Sequence, residues 1–433
     1  MALYDRDACE ALTAAVTDRL GADVGAVFRT GFFDTLDRTV TLGERGAFVI
    51  TGDIPAMWLR DSTAQLGPYL HLAGEEPLLA ATIGAVVTRQ LDLLLSDPYA
   101  NAFNDGPTGA GHQDDLTDMG PGTWERKYEV DSLCYPLQLA YDLWAVTGRV
   151  EHLARFAEAA RLVIAIWRTE QDHEQRSTYA FQRLHGPASD TLTRDGRGGL
   201  VAPTGLTWSA FRPSDDACAL GYNVPGNAFA AVVLGHVATL ARDVLDDDAL
   251  AGAADELRRE IETALAAHAV VRHDGELVYA YEVDGLGGAN LMDDANVPSL
   301  LSLPLIGWCA ADDPLYLATR ALVLSPANPY FYEGTAARGI GSPHTPAGNV
   351  WPIALAVQGL TATDEAEKAR LLELLVRTDG GAGRMHESFT CDDPTQFTRP
   401  WFSWADSMFC ELALDVAGLR TYRRTSATGG VRA

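Results

Sequence analysis

Apolar side chains recur along most of this chain at the three-and-four spacing of a helix, and only briefly at the alternation of a strand. The pattern predicts helices near 5–20, 62–74, 77–96, 131–147, 151–170 and 224–244. More follow near 248–268, 295–308, 313–324, 349–360, 364–377 and 403–418. Asp364 stands where an N-cap is expected and Gly148 where a helix stops. Strand-like runs are short, with residues 48–50 and 276–283 the clearest.

Twelve helices make six helical hairpins. Clusters of polar and aromatic residues fall between them, at 53–61, 124–131, 208–227, 281–296, 339–351 and 384–406. One cluster per hairpin is what an all-α (α/α)6 barrel gives, because the loops at one end of a closed ring line a common pocket. An open array of helices would scatter them, and no solenoid-type repeat is found. The Ala-, Asp- and Glu-rich stretches 246–268 and 361–373 read as outer helices with solvated faces. The expectation is one catalytic domain over 1–433, with 420–433 a frayed tail.

Charge narrows the functions available. There are 59 acidic against 33 basic side chains, a formal net charge of -26, which repels nucleic-acid phosphates and offers no basic patch to a membrane. Most of that acidity reads as solubility. No stretch approaches 18 uninterrupted apolar residues, and Asp5, Arg6, Asp7 and Glu10 occupy the place where a signal peptide would be apolar. Cys9, Cys134, Cys218, Cys309, Cys391 and Cys410 are scattered singly, as buried small hydrophobes in a reducing compartment are. These features predict a cytoplasmic protein without a metal site, cofactor, nucleic-acid partner or membrane partner.

The clusters suggest chemistry on a sugar. Asp61 or Ser62 would serve as a helix cap, but capping does not account for Trp58 and Arg60 beside them. An aromatic face with an Arg–Asp pair stacks a sugar ring and grips its hydroxyls. Residues 124–131, with Lys127 and Asp131, lead into a segment apolar nearly all round, so their charges suit a pocket rim. In Phe211-Arg-Pro-Ser-Asp-Asp, Asp215 and Asp216 beside Arg212 allow two carboxyl pKa values to be driven apart. Which of the two would keep its proton stays open on these residues alone. Asp284 and Asp293 are candidates for hydroxyl contacts, although Asp293 also suits a cap. Glu387 is the one acid among Met385, His386, Ser388 and Phe389, near Trp401 and Trp404, which favours a general base. His386-Glu387 lacks the second histidine of HExxH, and no GxSxG elbow or Walker loop occurs.

The strings TGDIPAMWLRDSTAQ, ANAFN, WERKYEVDSLCYPL, FRPSDDA, YAYEVDGLG, MDDANVPSLLSLP, NPYFYEG, GIGSPHTP and MHESF with FTRPWFSWA, spread over about residues 30–415, resemble glycoside hydrolase family 125. The resemblance implies an (α/α)6 barrel and metal-independent, exo-acting, inverting hydrolysis of non-reducing-end α-1,6-linked mannose. It also implies a mannose-terminated oligosaccharide as substrate. Carried onto this sequence, it places the general acid at Asp215, with Asp216 in reserve, and the general base at Glu387. Arg60, Asp61, Lys127, Asp131 and Arg212 would hold hydroxyls, together with Tyr222, Asn223, Asp284, His344 and His386, while Trp58 and Trp404 would stack. In YNVPGN and just after it, Gly226 and Ala228 are smaller than the family pattern suggests, which would loosen a subsite wall. Three other classes remain to be weighed. A sugar epimerase on the same toroid would use paired histidines such as His344 and His386. A phosphorolytic transferase would need free cations among Arg60, Arg126 and Lys127. A non-catalytic glycan binder would lack one of the two carboxyls.

Overall fold

Helices that are apolar on every face can exist only when other helices surround them. In the computed structural model, which describes residues 2–422, Val130–Thr147, Val224–Asp243, Pro352–Leu360 and Ser403–Val416 are buried along most of their length. Two further buried stretches join them. One runs from Leu59–Ala64 through Gly67–Tyr69 to Leu70–Ala73, and the other is the irregular segment 295–308. All six surround one axis, on which Thr63, Tyr135, Phe229, Val297, Leu360 and Met408 meet around a narrow cavity.

Helices with a single apolar stripe pack outside this ring. Phe156–Glu170 buries Phe156, Ala159, Ala160, Val163, Ile164 and Trp167, the positions one helical face provides. Pro77–Ser96, Asp248–His268, Pro314–Val323 and Glu365–Arg377 form the rest of the outer layer with Ala22–Asp34. Ala22–Asp34 packs on Ser403–Val416, so the beginning of the chain covers its last inner helix and closes the ring. Pro77–Ser96 and Val224–Asp243 are long and apolar enough by composition to cross a membrane, and both are taken up in this packing.

The inner elements enter the ring from the same end, and three small antiparallel sheets tie their entry loops in pairs. Met57–Trp58, Ala102–Phe103 and Thr123–Glu125 join the loops before the first and second inner elements. Tyr222–Asn223, Glu282–Val283 and Ala289–Asn290 join those before the third and fourth. Asn349–Val350, Ser388–Thr390 and Asp393–Thr398 join those before the fifth and sixth. A β-bridge that pairs Gly52 with Phe402, in which the Ser403 amide donates to the Thr51 carbonyl, links the last loop back to the first.

The helical class agrees with the sequence pattern, and most helix limits lie within three residues of those expected. Four regions differ. Pro68 interrupts 62–74 with a 3-10 turn, and 151–170 begins with a 3-10 turn before Phe156. Segment 295–308 is not helical. Pro298 and Pro304 have no N–H to give a helix, while both oxygens of buried Asp293 capture the Leu300 and Leu301 amides at 2.8 and 2.9 Å. Ala22–Asp34 was not expected because glycines interrupt its apolar stripe. Gly31 lies so close to the Asp406 side chain that a Cβ would come within 2.9 Å of it.

Residues 420–422 are docked rather than frayed. Arg420 pairs with Glu411 at 3.3 Å, the Thr421 amide donates to His71 Nδ1 at 3.2 Å, and the Tyr422 hydroxyl donates to Asp142 at 2.8 Å. The remainder of the expected tail, 423–433, lies outside the described residues.

Asp293 therefore holds an inner element that has no helical ladder. Asp293→Ala leaves two buried amides unpaired, each worth about 1–3 kcal/mol, and is expected to lower the thermal unfolding midpoint. Asp293→Asn keeps one acceptor oxygen and should lower it less. Equal midpoints for Asp293→Ala and the parent would contradict this role.

Candidate active site

The loops gathered by the three sheets line a cavity of about 360 Å³ at the mouth of the ring. It takes Trp58 from the first entry loop with Arg60 and Asp61 from the helical turn that follows, and Trp124, Glu125 and Lys127 from the second. Ser214 and Asp215 come from the third, Asn296 from the fourth, His344 and Trp351 from the fifth. The sixth gives Glu387, Arg399, Phe402 and Trp404. Trp404 also borders the axial cavity beyond, so it forms a floor between the two.

One wall is built on Arg60. Its Nη1 donates to Glu129 Oε2 at 2.5 Å and lies 3.4 Å from Asp131 Oδ2. Its Nη2 donates to Asp215 Oδ1 at 2.8 Å, and its Nε lies 3.6 Å from Asp61 Oδ2. Asp215 has a φ of +65°, a left-handed conformation that disfavours side chains. Both of its ends are held there, since Lys127 Nζ donates to its carbonyl at 2.7 Å and Asn101 Nδ2 to its Oδ1 at 3.2 Å. Lys127 in turn pairs with Asp190 at 2.6 Å and Glu125 at 3.5 Å.

These contacts drive the carboxyl groups apart. Burial alone would raise Asp215, but Arg60, the neighbouring Glu129 carboxyl, Lys127 and His344 together hold it well below the usual carboxylate range. Burial pushes Glu129 well up against the pull of Arg60, and the Asp215 and Asp131 charges add to that rise. Burial also lifts Asp61 and Asp131 to about 6 each, with Arg60 opposing.

On the other side of the ring, Glu387 stands just before strand Ser388–Thr390. Arg399 Nη1 approaches its Oε1 at 3.5 Å, while the same guanidinium grips Asp53 and donates to Thr51 Oγ1 at 3.0 Å. That guanidinium lies over the Phe402 ring at 4.3 Å. His344 lies between the two sides. Burial would lower its pKa, but the charge of Asp216, 3.8 Å away, followed by those of Glu387 and Asp215, raises it to about 9, which favours the cation at neutral pH.

Of the residues expected at the site, the cavity brings together Trp58, Arg60, Asp61, Lys127, Asp215, His344, Glu387 and Trp404. The others lie off its wall, which corrects the expectation of direct contact. Asp131 sits behind Arg60. Asp216 is turned inward, accepting from Ser214 at 3.3 Å and lying 3.8 Å from His344. Arg212 is paired with buried Glu282 at 2.6 Å. The Tyr222 hydroxyl donates to the Ala202 carbonyl at 3.1 Å. Asn223 caps the following helix by accepting the Gly226 amide at 2.8 Å. A Cβ on Gly226 would come within 2.9 Å of that cap, so its smallness serves the helix start and opens no subsite; Ala228 is likewise buried in the helix. Asp284 closes a turn by accepting the Leu286 and Gly288 amides at 2.7 and 2.8 Å. His386 stacks on Phe397 at 3.6 Å, with backbone carbonyls at both ring nitrogens. Trp401 lies under Arg38 at 4.2 Å instead of facing the cavity.

Sequence reasoning missed Arg183 and Asp190 on the same wall, since single charges in a loop with no periodicity carry no signal. Arg183 bonds Asp115 at 2.7 Å and Glu125 at 2.8 Å, which anchors the loop that brings Asp190 to Lys127. Asn101 and Arg399 stood in strings that were read as a whole, without separate roles. Among the described residues no group of three or more His, Cys, Asp or Glu is placed to hold a metal ion, and the six cysteines are free and buried.

The model of one protein family, the metal-independent α-mannosidases (GH125), matches residues 21–414. A solved Streptococcus pneumoniae structure, described as a metal-independent α-mannosidase in a non-productive complex with α-1,6-mannobiose, is 50% identical. It covers 97% of this chain and 100% of its own, with a TM-score of 0.95. The meiotically up-regulated gene 157 protein of Schizosaccharomyces pombe is 40% identical over 91% of this chain and 82% of its own. A bacterial glucoamylase bound to acarbose, at 13% identity and a TM-score of 0.54, covers 83% of this chain and 49% of its own and shares the fold alone.

His344 gives a direct check of these electrostatics. Its folded pKa lies above the unfolded value of about 6.5, so its pairing stabilises the fold fully below that pH and is lost as pH rises through about 9. Imidazole NMR should therefore show His344 titrating near 9. Asp216→Asn should move that midpoint downward, and an unchanged midpoint would contradict the assignment.

Proposed function

Because the chain belongs to the metal-independent α-mannosidases of glycoside hydrolase family 125, we propose that it releases non-reducing-end α-1,6-linked mannose with inversion. Asp215 is the general acid and Glu387 the general base. The observation that carries this reading is their placement, on the third and sixth of six entry loops, half a turn apart around one cavity. A sugar held between them presents its glycosidic oxygen to one carboxyl and its opposite face to the other. Inversion requires about 6.5–9.5 Å between the two carboxyls, room for the attacking water.

In the reaction, Asp215 gives a proton to the leaving oxygen as the bond to C1 breaks. Glu387 takes a proton from the water that attacks C1, and Arg399 keeps the Glu387 carboxyl aimed at it. Arg60, Asp61, Lys127 and the His344 cation donate to or accept from sugar hydroxyls, while Trp58 and Trp404 offer apolar faces. Trp404 supports exo action, because a chain of sugars entering a cavity with a floor must end there. The α-1,6 linkage is supported by the mannobiose bound to the pneumococcal relative. A reducing compartment, as in the cytoplasm, is supported by six buried free thiols.

The other classes find less support. His344 faces the cavity but His386, its expected partner in an epimerase, does not; the other histidine on the wall is His112, on the loop beside Trp124. Arg60, Lys127, Arg183 and Arg399 are each paired with carboxylates, and Arg126 with Asp97 at 2.9 Å, so a phosphate finds no spare cation among them. A non-catalytic binder would not require both carboxyls in the cavity.

Asp215→Asn and Glu387→Gln are each expected to lower kcat on α-1,6-mannobiose by about 10²–10⁴-fold or more, with smaller changes in KM. An aryl mannoside whose phenolate leaves without a proton should largely rescue Asp215→Asn and not Glu387→Gln. Full mannobiose activity in either variant would overturn that residue's role.

A further inference from the structure

The cavity wall around Arg60 holds more negative charge than its cations balance. The carboxyls of Asp61, Glu129, Asp131 and Asp215 all lie within 3.6 Å of the Arg60 guanidinium, and the side chains of the first three are at most 6% exposed. Lys127 reaches the Asp215 carbonyl but is already committed to Glu125 and Asp190, themselves tied to Arg183. His344 faces Asp215 from the fifth loop, with its own charge shared by Asp216 and Glu387. Arg399 serves Glu387 and Asp53. The neutral Cys218 thiol and Tyr179 phenol near Glu129 bring no compensating charge. One guanidinium among three buried carboxyls and a fourth at the cavity surface leaves at least one proton to be kept by the group.

Hydrogen bonding identifies where that proton rests. Glu129 Oε2 accepts from Arg60 and from Ser132 Oγ at 2.6 Å, whereas buried Oε1 receives no hydrogen bond from any amide, hydroxyl or cation. The group that remains to Glu129 is the Asp215 carboxyl, held on the other terminal nitrogen of the same guanidinium, and a proton between the two would serve both. Two carboxyls can share a hydrogen bond only when one is protonated. Glu129 is sealed from the cavity, but 20% of the Asp215 side chain is exposed to it. Of these two, Asp215 alone lines the cavity, yet the cations beside it favour its ionised form.

We propose that Glu129 is the positioning residue that stores the proton of the general acid: it holds the proton at rest and passes it to Asp215 as the glycosidic oxygen arrives. This rests on the reading of Asp215 as the acid. One proton moves from Glu129 to Asp215 and on to the leaving oxygen as the C1–O bond breaks. Glu387 gains one from the attacking water, and exchange with solvent restores both carboxyls after product release. The pair titrates as a unit, so the alkaline limb of kcat/KM reports loss of the shared proton.

The test compares Glu129→Gln with the parent on α-1,6-mannobiose and on 2,4-dinitrophenyl α-mannoside, whose leaving group needs no proton. Glutamine keeps an acceptor for Arg60 but cannot store a transferable proton. The alkaline limb on mannobiose should move toward acid by at least about one pH unit, roughly tenfold in rate on that limb. kcat should fall at neutral pH with KM little changed, and the dinitrophenyl substrate should be largely spared. An unmoved limb, or equal losses on both substrates as a displaced Arg60 would give, overturns the proposal. In the parent enzyme, glutamate-selective ¹³C labelling with infrared detection separates Glu129 from the buried aspartates whatever the folding of the variant. A glutamic acid carbonyl band at neutral pH that disappears along the same alkaline limb is expected, and its absence overturns the proposal. Full mannobiose activity in Asp215→Asn would sink the acid reading itself. With Asp215→Asn inactive on mannobiose and an unmoved limb in Glu129→Gln, the proton store alone fails.

Discussion

A single guanidinium sets the chemistry of this site. Arg60 draws carboxyl groups from the entries of three inner elements to one wall. Buried charges of one sign repel strongly, so the group is stable only with a cation at its centre and with protons kept where the cation cannot reach. That constraint fixes Asp215 in an unfavourable backbone conformation, draws Lys127 onto its carbonyl, and separates an ionised carboxyl at the cavity from a protonated one behind it.

The fold brings these loops together by a simple device. Six inner elements start at the same end of the ring, and each is preceded by a short strand or turn tied to its neighbour by a small sheet. The strands are only two to six residues long, and the side chains that flank them line the cavity at the mouth of the ring. Asp215 and Glu387, the proposed acid and base, come from loops three steps apart in a ring of six, so their placement on opposite sides of the cavity follows from topology. The floor made by Trp404, below Arg60 and above the axial cavity, then limits what can enter.

Much of this was legible in the sequence, and the failures have physical causes. Helices such as Pro77–Ser96 and Asp248–His268 follow from periodicity and caps alone. Arg60 and Glu387 stood out because a charge beside aromatic residues in an otherwise buried segment has no structural excuse. Neighbours in sequence misled, since consecutive side chains in extended or turned backbone point different ways. Asp215 faces the cavity while Asp216 is turned in, and Glu387 faces it while His386 stacks on Phe397. Asn223 and Asp284 looked like sugar ligands but serve backbone amides, the local alternative open to any short polar side chain. Arg183 and Asp190 were invisible because only the folded loop brings them to Lys127.

The most direct measurement is the configuration of the first sugar released. With the purified enzyme and α-1,6-mannobiose in the presence of EDTA, proton NMR taken before mutarotation should show β-mannose appearing first. α-Mannose appearing first would mean retention, would require Glu387 to act as a nucleophile, and would contradict the account.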